Sequence, residues 1–140
     1  MNEELRVKCY WNLHKNTYSV VAMEGERKGR VVSHEDSIHL EDVFFKVSES
    51  GRQRVLRDRV KNVHAYVVGT LVLDREKLRS FGKCDRRVTY NPYVQGNFFA
   101  RKDREVVHEA LRAYLGVLVD VSDERVVKKA DIRIRMNRGE

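Results

Sequence analysis

Five histidines, two cysteines and 49 charged side chains are the groups in this 140-residue sequence that could do chemistry. His34-Glu35-Asp36-Ser37-Ile38-His39 holds the residue types of a metal site. Its two histidines stand five apart, whereas two ligands on one helical face need a spacing of four. The segment therefore reads either as a metal-dependent nuclease site built on His34, Asp36 or His39, or as a solvated charged loop. A cysteine nucleophile needs a depressed pKa and a nearby base. Cys9 falls on the apolar face of its segment, which points to core packing instead. No G-x-S-x-G elbow, P-loop or G-x-G-x-x-G fingerprint occurs. His14, His64 and His108 permit the general acid and base of a metal-independent ribonuclease, but their spacing does not specify it.

Binding chemistry is better represented. Phosphates are held by cations or backbone amides, and Arg52, Arg54, Arg57, Arg59 and Lys61 cluster within ten residues. The alternative is a solvated helix face, with Asp58 and other carboxylates as partners. Recognition of a base needs a flat apolar surface and an amide. Tyr90-Asn91-Pro92-Tyr93 offers both, and Phe81 lies ten residues before Asn91 in a polar loop. Tyr90 and Phe98 can equally be core residues.

The elements that must position these groups follow from periodicity. Residues 6–13 alternate, with Val7, Cys9, Trp11 and Leu13 on one face, and predict a half-buried strand. Residues 17–23 are its partner across a tight turn at His14-Lys15-Asn16. A polar turn with Gly25 and Gly29 leads to a third extended stretch at Val31-Val32. From Ile38 to Val47 the apolar phase slips by one residue at Glu41-Asp42, as a β-bulge makes it do. Residues 50–62 place Val55, Leu56 and Val60 at helical spacing and predict a short helix with a cationic face. Residues 63–73 are apolar on both faces, as in a central strand. Extended structure resumes at Val88-Thr89-Tyr90, stops at Pro92 and resumes near Phe98-Phe99. At 107–118, Val107, Ala110, Leu111, Tyr114, Leu115 and Leu118 fit a helical count, although Val117-Leu118-Val119 could extend a strand. Ile132, Ile134 and Met136 alternate with Arg133 and Arg135, which predicts a charge-protected edge strand. This order supports a single α+β domain dominated by an antiparallel sheet with one or two short helices.

Bulk composition narrows the classes. The net charge is +7, from 28 Lys+Arg against 21 Asp+Glu, and points to an anionic partner. The hydrophobic fraction is 41% and dispersed, so no apolar run spans a bilayer. The first residues lack an apolar signal-peptide core, which argues for an intracellular protein. Two cysteines are too few for a disulfide scaffold, and both read as free thiols.

Four segments in order resemble one family. Val7 to Lys15, Gly29 to His34, Lys61 to Ala65 leading into Gly69, and Thr89-Tyr90-Asn91-Pro92-Tyr93 are similar to the phage anti-Thoeris sponge family, the first-described group of Thoeris anti-defence proteins. The resemblance implies a non-catalytic protein of the infected bacterial cytoplasm, with no cofactor. It would sequester a cyclic ADP-ribose isomer made by TIR-domain defence proteins, with cyclic di- or trinucleotides at separate sites in some members. It implies a dimer building block that assembles into hexamers. Phe81 and Asn91 match the spacing of two family ligand contacts, and Arg27 falls near the position of a family arginine. With Tyr90, Arg57 and Lys61 from the residue reading, these are the candidate ligand-binding residues. The resemblance further implies an extended segment after Pro92-Tyr93, where the count at 107–118 favours helix. The competing expectation is a small basic nucleic-acid-binding phage protein, carried by the net charge and the Arg52–Lys61 cluster.

Overall fold

The computed structural model describes residues 5–79, 84–122 and 124–136. Nine strands form one sheet: β1 (Arg6–Asn12), β2 (Thr17–Ala22), β3 (Val31–Glu35), β4 (Ile38–Val47), β5 (Ala65–Leu71), β6 (Arg86–Thr89), β7 (Phe99–Ala100), β8 (Glu109–Ser122) and β9 (Arg125–Arg135). Helix α1 (Glu49–Asp58) joins β4 to β5, and α2 (Arg75–Arg79) follows β5. The strand order is β3-β2-β1-β5-β4-β8-β9-β6-β7, and every pairing is antiparallel. The fold is α+β and sheet-dominated, with two short helices, as the order of patterns indicated.

Local chemistry explains the joints. The β1–β2 turn is closed by Asn12, whose Oδ1 accepts from the His14 and Lys15 N–H groups at 3.0 and 3.1 Å. Asn16 adopts the left-handed conformation there, which Asn tolerates better than most residues. The predicted bulge in β4 is present: the register to β5 shifts between Glu41 and Phe44, with Asp42 at φ 50°. It keeps Ile38, Leu40, Val43 and Phe45 on the buried face despite the slipped phase. Helix α1 is shorter than the predicted 50–62. Ser48 caps its start by accepting from the Gly51 N–H, and Arg59 at φ 54° ends it in a left-handed cap bonded to the Val55 carbonyl at 2.9 Å.

Two expectations are overturned. Residues 109–122 are strand, not helix. The helical count needs Leu111 and Leu118 inside, yet they are 38% and 41% exposed, and β8 instead lines Ala113 and Leu115 along the core. Pairing decides the matter, because β4 needs a partner along its second edge and Ile38 to Phe44 find it in β8. The β-branched run Val117, Val119, Val121 also suits an extended backbone. The strand ending at Arg135 is likewise no edge: β9 lies between β8 and β6.

The sheet curls until its inner face meets itself. Inward residues from β1, β2, β4, β5, β6, β8 and β9 share one core, including Val7, Cys9, Tyr18, Leu40, Val67, Val88, Leu115 and Ile134. Tyr18 spans the curl. Its hydroxyl, on β2, donates to the Gly116 carbonyl of β8 at 2.9 Å, although β1, β5 and β4 lie between those strands in the sheet. Beyond Leu115 and Ile132, β8 and β9 leave the sheet and run on as a two-stranded arm. On it Val119, Val121 and Val126 are 55%, 68% and 66% exposed.

Tyr18→Phe takes one hydrogen bond from the buried Gly116 carbonyl and is expected to lower unfolding stability by about 0.5–1.5 kcal/mol, read as a shifted urea midpoint. An unchanged midpoint would show that this bond does not hold the curl.

Candidate functional site

The curled sheet encloses a cavity of about 530 Å³ at the end of β1 and β5 nearest α1. That volume lies within the range of small-molecule sites. Its walls come from alternate inward positions of the strands: Cys9 and Trp11 of β1, Tyr18 of β2, Val67 of β5, Val88 of β6 and Ile132 of β9. Val55 of α1 and the segment 59–64 close one side, and Tyr90, Pro92, Tyr93 and Phe98 close another. Trp11 meets Tyr18 edge-on at 5.0 Å between centroids. Phe45, Phe98, Tyr90 and His64 form a chain of ring contacts at 5.0, 5.1 and 5.4 Å.

One polar relay runs through this apolar wall. The Asn62 carbonyl lies 2.8 Å from His64 Nδ1, and a carbonyl only accepts, so Nδ1 carries the proton. In the neutral ring Nε2 is then an acceptor, and the Tyr90 hydroxyl, 2.7 Å away, donates to it. Burial pushes the Tyr90 pKa up to about 12, so that proton stays in place near neutral pH. With its proton committed, the Tyr90 oxygen has only lone pairs left to offer. Gly51 permits the arrangement, since a Cβ there would stand 2.6 Å from the His64 Cβ.

The mouth of the cavity is basic. Arg59 and Lys61 line it, and neither has a carboxylate partner among the described residues. Arg59 is placed by the left-handed cap that ends α1. Arg52, from the same cluster, is used structurally: Nε donates to the Pro92 carbonyl at 3.0 Å and Nη1 pairs with Glu49 at 3.0 Å. It thereby ties α1 to the turn carrying Tyr90 and Tyr93.

The candidate residues divide accordingly. Tyr90 and Lys61 line the cavity. Asn91 is exposed and builds the turn, its Oδ1 accepting from the Tyr93 N–H at 2.9 Å and its carbonyl from Val94 at 3.0 Å. Arg57 is exposed and bonded to Asp58 at 3.0 Å, outside the cavity lining. Arg27 lies in the β2–β3 turn, beyond Ala22 and so at the end of β2 away from Tyr18. Phe81 lies outside the described residues. Trp11 and Tyr18 are site residues that the sequence does not single out, and His64 enters there only as one of three histidines that could serve a ribonuclease. His64 carries no local signature, and the other two read as ordinary inward strand positions.

The remaining chemistry resolves simply. Ser19 Oγ lies 3.1 Å from His34 Nδ1, Asp36 accepts from Thr17, and His39 packs on Tyr114. Among the described residues no group of three or more His, Cys, Asp or Glu side chains is arranged to hold a metal. No helix among them is long and apolar enough to cross a membrane. Both cysteines are free thiols; burial pushes the Cys9 pKa up to about 12 and also raises that of Cys84.

Curled sheet and cavity together define a small antiparallel α+β protein with an aromatic-walled, basic-mouthed pocket. Comparison with known sequences then supplies its relatives. The family described as Mycobacterium phage L5 gene 82 protein matches residues 1–131. The Gene 82 protein of Mycobacterium phage L5 is 35% identical over 119 residues, covering 79% of this chain and 90% of its own length. The chain therefore belongs to the phage L5 gene 82 family. No solved structure matches it. A phage family was implied by the sequence resemblance, and the family found is this one.

Thiol chemistry tests the placement of β1. A thiol-reactive dye should leave Cys9 unlabelled in the folded protein, label the half-buried Cys84 slowly, and label both after denaturation, as read by peptide mass spectrometry. Rapid labelling of Cys9 would contradict an inward-facing β1.

Proposed function

We propose that this protein binds a small anionic nucleotide in the cavity and sequesters it without cleaving it. The observation that carries the reading is the pairing, in one cavity of about 530 Å³, of an aromatic interior with cations at the mouth that have no carboxylate partner among the described residues. A nucleobase stacks on aromatic walls, at roughly 1–3 kcal/mol per base. The phosphates then reach Arg59 and Lys61, where charge-assisted hydrogen bonds are the strong ones. The relay ending at Tyr90 favours a ligand group that donates, such as the exocyclic amine of adenine.

The ligand class is a cyclic ADP-ribose isomer made by a TIR-domain defence protein, and the activity is anti-Thoeris defence in the infected host cytoplasm. The resemblance, which covers most of residues 7–99, supports that finer reading, which membership of the gene 82 family neither names nor opposes. Self-association to dimers or hexamers belongs to the same reading. In its favour stands the arm of β8 and β9, because an unsupported two-stranded ribbon with exposed valines is marginal in water alone.

Trp11, the single tryptophan, lines the cavity and reports on it. Titration with a cyclic ADP-ribose isomer is expected to change its emission, and Lys61→Ala and Arg59→Ala should each weaken binding about tenfold or more. Ligand released by heating should be chemically intact. A cleaved product would make the protein an enzyme, and a silent Trp11 with no retained ligand would remove the cavity reading.

The relay makes a separate prediction. The wild type should prefer an adenine nucleotide to its hypoxanthine analogue, and Tyr90→Phe should abolish the preference while retaining base stacking. Equal affinities in the wild type would show that Tyr90 does not read the base.

A further inference from the structure

The opposite face of the sheet carries a second pattern. Strand alternation sends Val7 and Cys9, Val67, and Val43 and Phe45 into the core. It leaves Arg6 and Lys8, Tyr66 and Thr70, and Phe44 and Lys46 on the convex face of β1, β5 and β4. These six residues make a compact patch, since Lys8 and Phe44 both register against Val68, Arg6 against Thr70, and Lys46 against Tyr66.

Rings and cations interleave there. The Lys8 ammonium stands 4.8 Å from the centre of the Tyr66 ring. The Arg6 guanidinium and the Lys46 ammonium stand 5.5 and 5.6 Å from that of Phe44. Phe44 is 38% exposed in the middle of a sheet, where a monomer gains nothing by showing it to water. The side chains of Arg6, Lys8 and Lys46 over these rings are flexible, so an incoming planar group can displace them and leave the cations beside it.

Three acids border the patch, and only Glu41 is committed to a cation outside it. Glu41 is paired with Lys77 at 3.0 Å, Glu24 accepts from the Arg6 backbone N–H, and Glu109 opposes Phe44 on β8, where it bounds the patch. Three cations and two rings on a flat sheet complement one polymer chemistry, alternating anionic phosphates and splayed bases.

We propose that the convex face of β1, β5 and β4 binds single-stranded nucleic acid, with bases stacked on Phe44 and Tyr66 and phosphates on Arg6, Lys8 and Lys46. A duplex keeps its bases inside and offers no stacking face to such a platform. The patch faces away from Cys9 and Val67, and of its six residues Tyr66 also borders the cavity, so Phe44 and Lys8 are the substitutions that separate this surface from the cavity's ligand.

Fluorescence anisotropy with labelled 12-nucleotide oligo-dT and oligo-rU tests this, with the intact protein at several salt concentrations. Binding should weaken with salt with a log–log slope of about −2 for three phosphate contacts on a single strand. Phe44→Leu, which keeps apolar bulk but removes the ring, and Tyr66→Ala should each weaken binding about tenfold. Lys8→Gln should flatten the slope by roughly 0.7, whereas Lys28→Gln in the exposed β2–β3 turn should leave it unchanged. Absence of binding at low salt, equal competition by a duplex of the same length, or indifference to both ring substitutions in variants with wild-type melting would each overturn the proposal.

Discussion

The bond from Tyr18 to the Gly116 carbonyl sets the spacing on which the rest of the molecule depends. An open antiparallel sheet of nine strands twists but does not of itself close on its own face. Here β2 is drawn over to β8, and one buried hydroxyl fixes how far apart those strands stand. Tyr18 also lines the cavity, so the same side chain that closes the curl forms part of the wall. Gly116 suits the other end for a local reason. The Tyr114 ring lies against it, and a Cβ at 116 would stand 2.5 Å from that ring.

Closure in turn separates two chemistries that share the same strands. On the concave side, inward positions of β1 and β5 meet Ile132 and Phe98 and exclude charge. On the convex side, the intervening positions carry Arg6, Lys8 and Lys46 over aromatic rings. The net charge of +7 is thus distributed rather than concentrated on one helix. In the Arg52–Lys61 cluster, Arg52 braces a turn, Arg57 pairs with Asp58 and Arg54 is exposed outside the cavity lining, leaving Arg59 and Lys61 at the cavity mouth. Counting cations along the chain measures their supply; only pairing and burial decide which remain available to a ligand.

Much of this was legible where the signal was local. Strict alternation in 6–13 and the phase slip at Glu41-Asp42 translate directly into backbone geometry, because a strand cannot change the face of its side chains without a bulge. The strand at 109–122 was not legible in that way. Ala110, Leu111, Tyr114, Leu115 and Leu118 satisfy a helical period by coincidence, and the deciding fact was the unpaired edge of β4, a property of the assembled sheet. The site was hidden for a related reason. His64 acquires its role only when Tyr90, 26 residues away, is brought to 2.7 Å, and Asn91, chosen for its amide, spends its oxygen on the turn that presents Tyr90 and Tyr93.

The His64 and Tyr90 pair is the feature of the cavity that packing alone does not require. A wall of Leu and Phe would fill the same space without polar groups to satisfy, and a buried donor left unpaired costs about 1–3 kcal/mol. The chain meets that demand completely, with no buried side-chain nitrogen or oxygen lacking a partner among the described residues. It does so at the cost of three coordinated positions: the Asn62 carbonyl that fixes the tautomer, the Gly51 backbone that admits the imidazole, and the ring contacts that seat Tyr90 against Phe98. A fully satisfied relay in an apolar wall rigidifies the groups it joins and gives them one orientation. With the His64 ring neutral, that orientation points the hydroxyl proton of Tyr90 at His64 and leaves the oxygen as an acceptor. The constraint follows from the direction of each hydrogen bond, whichever donor meets it.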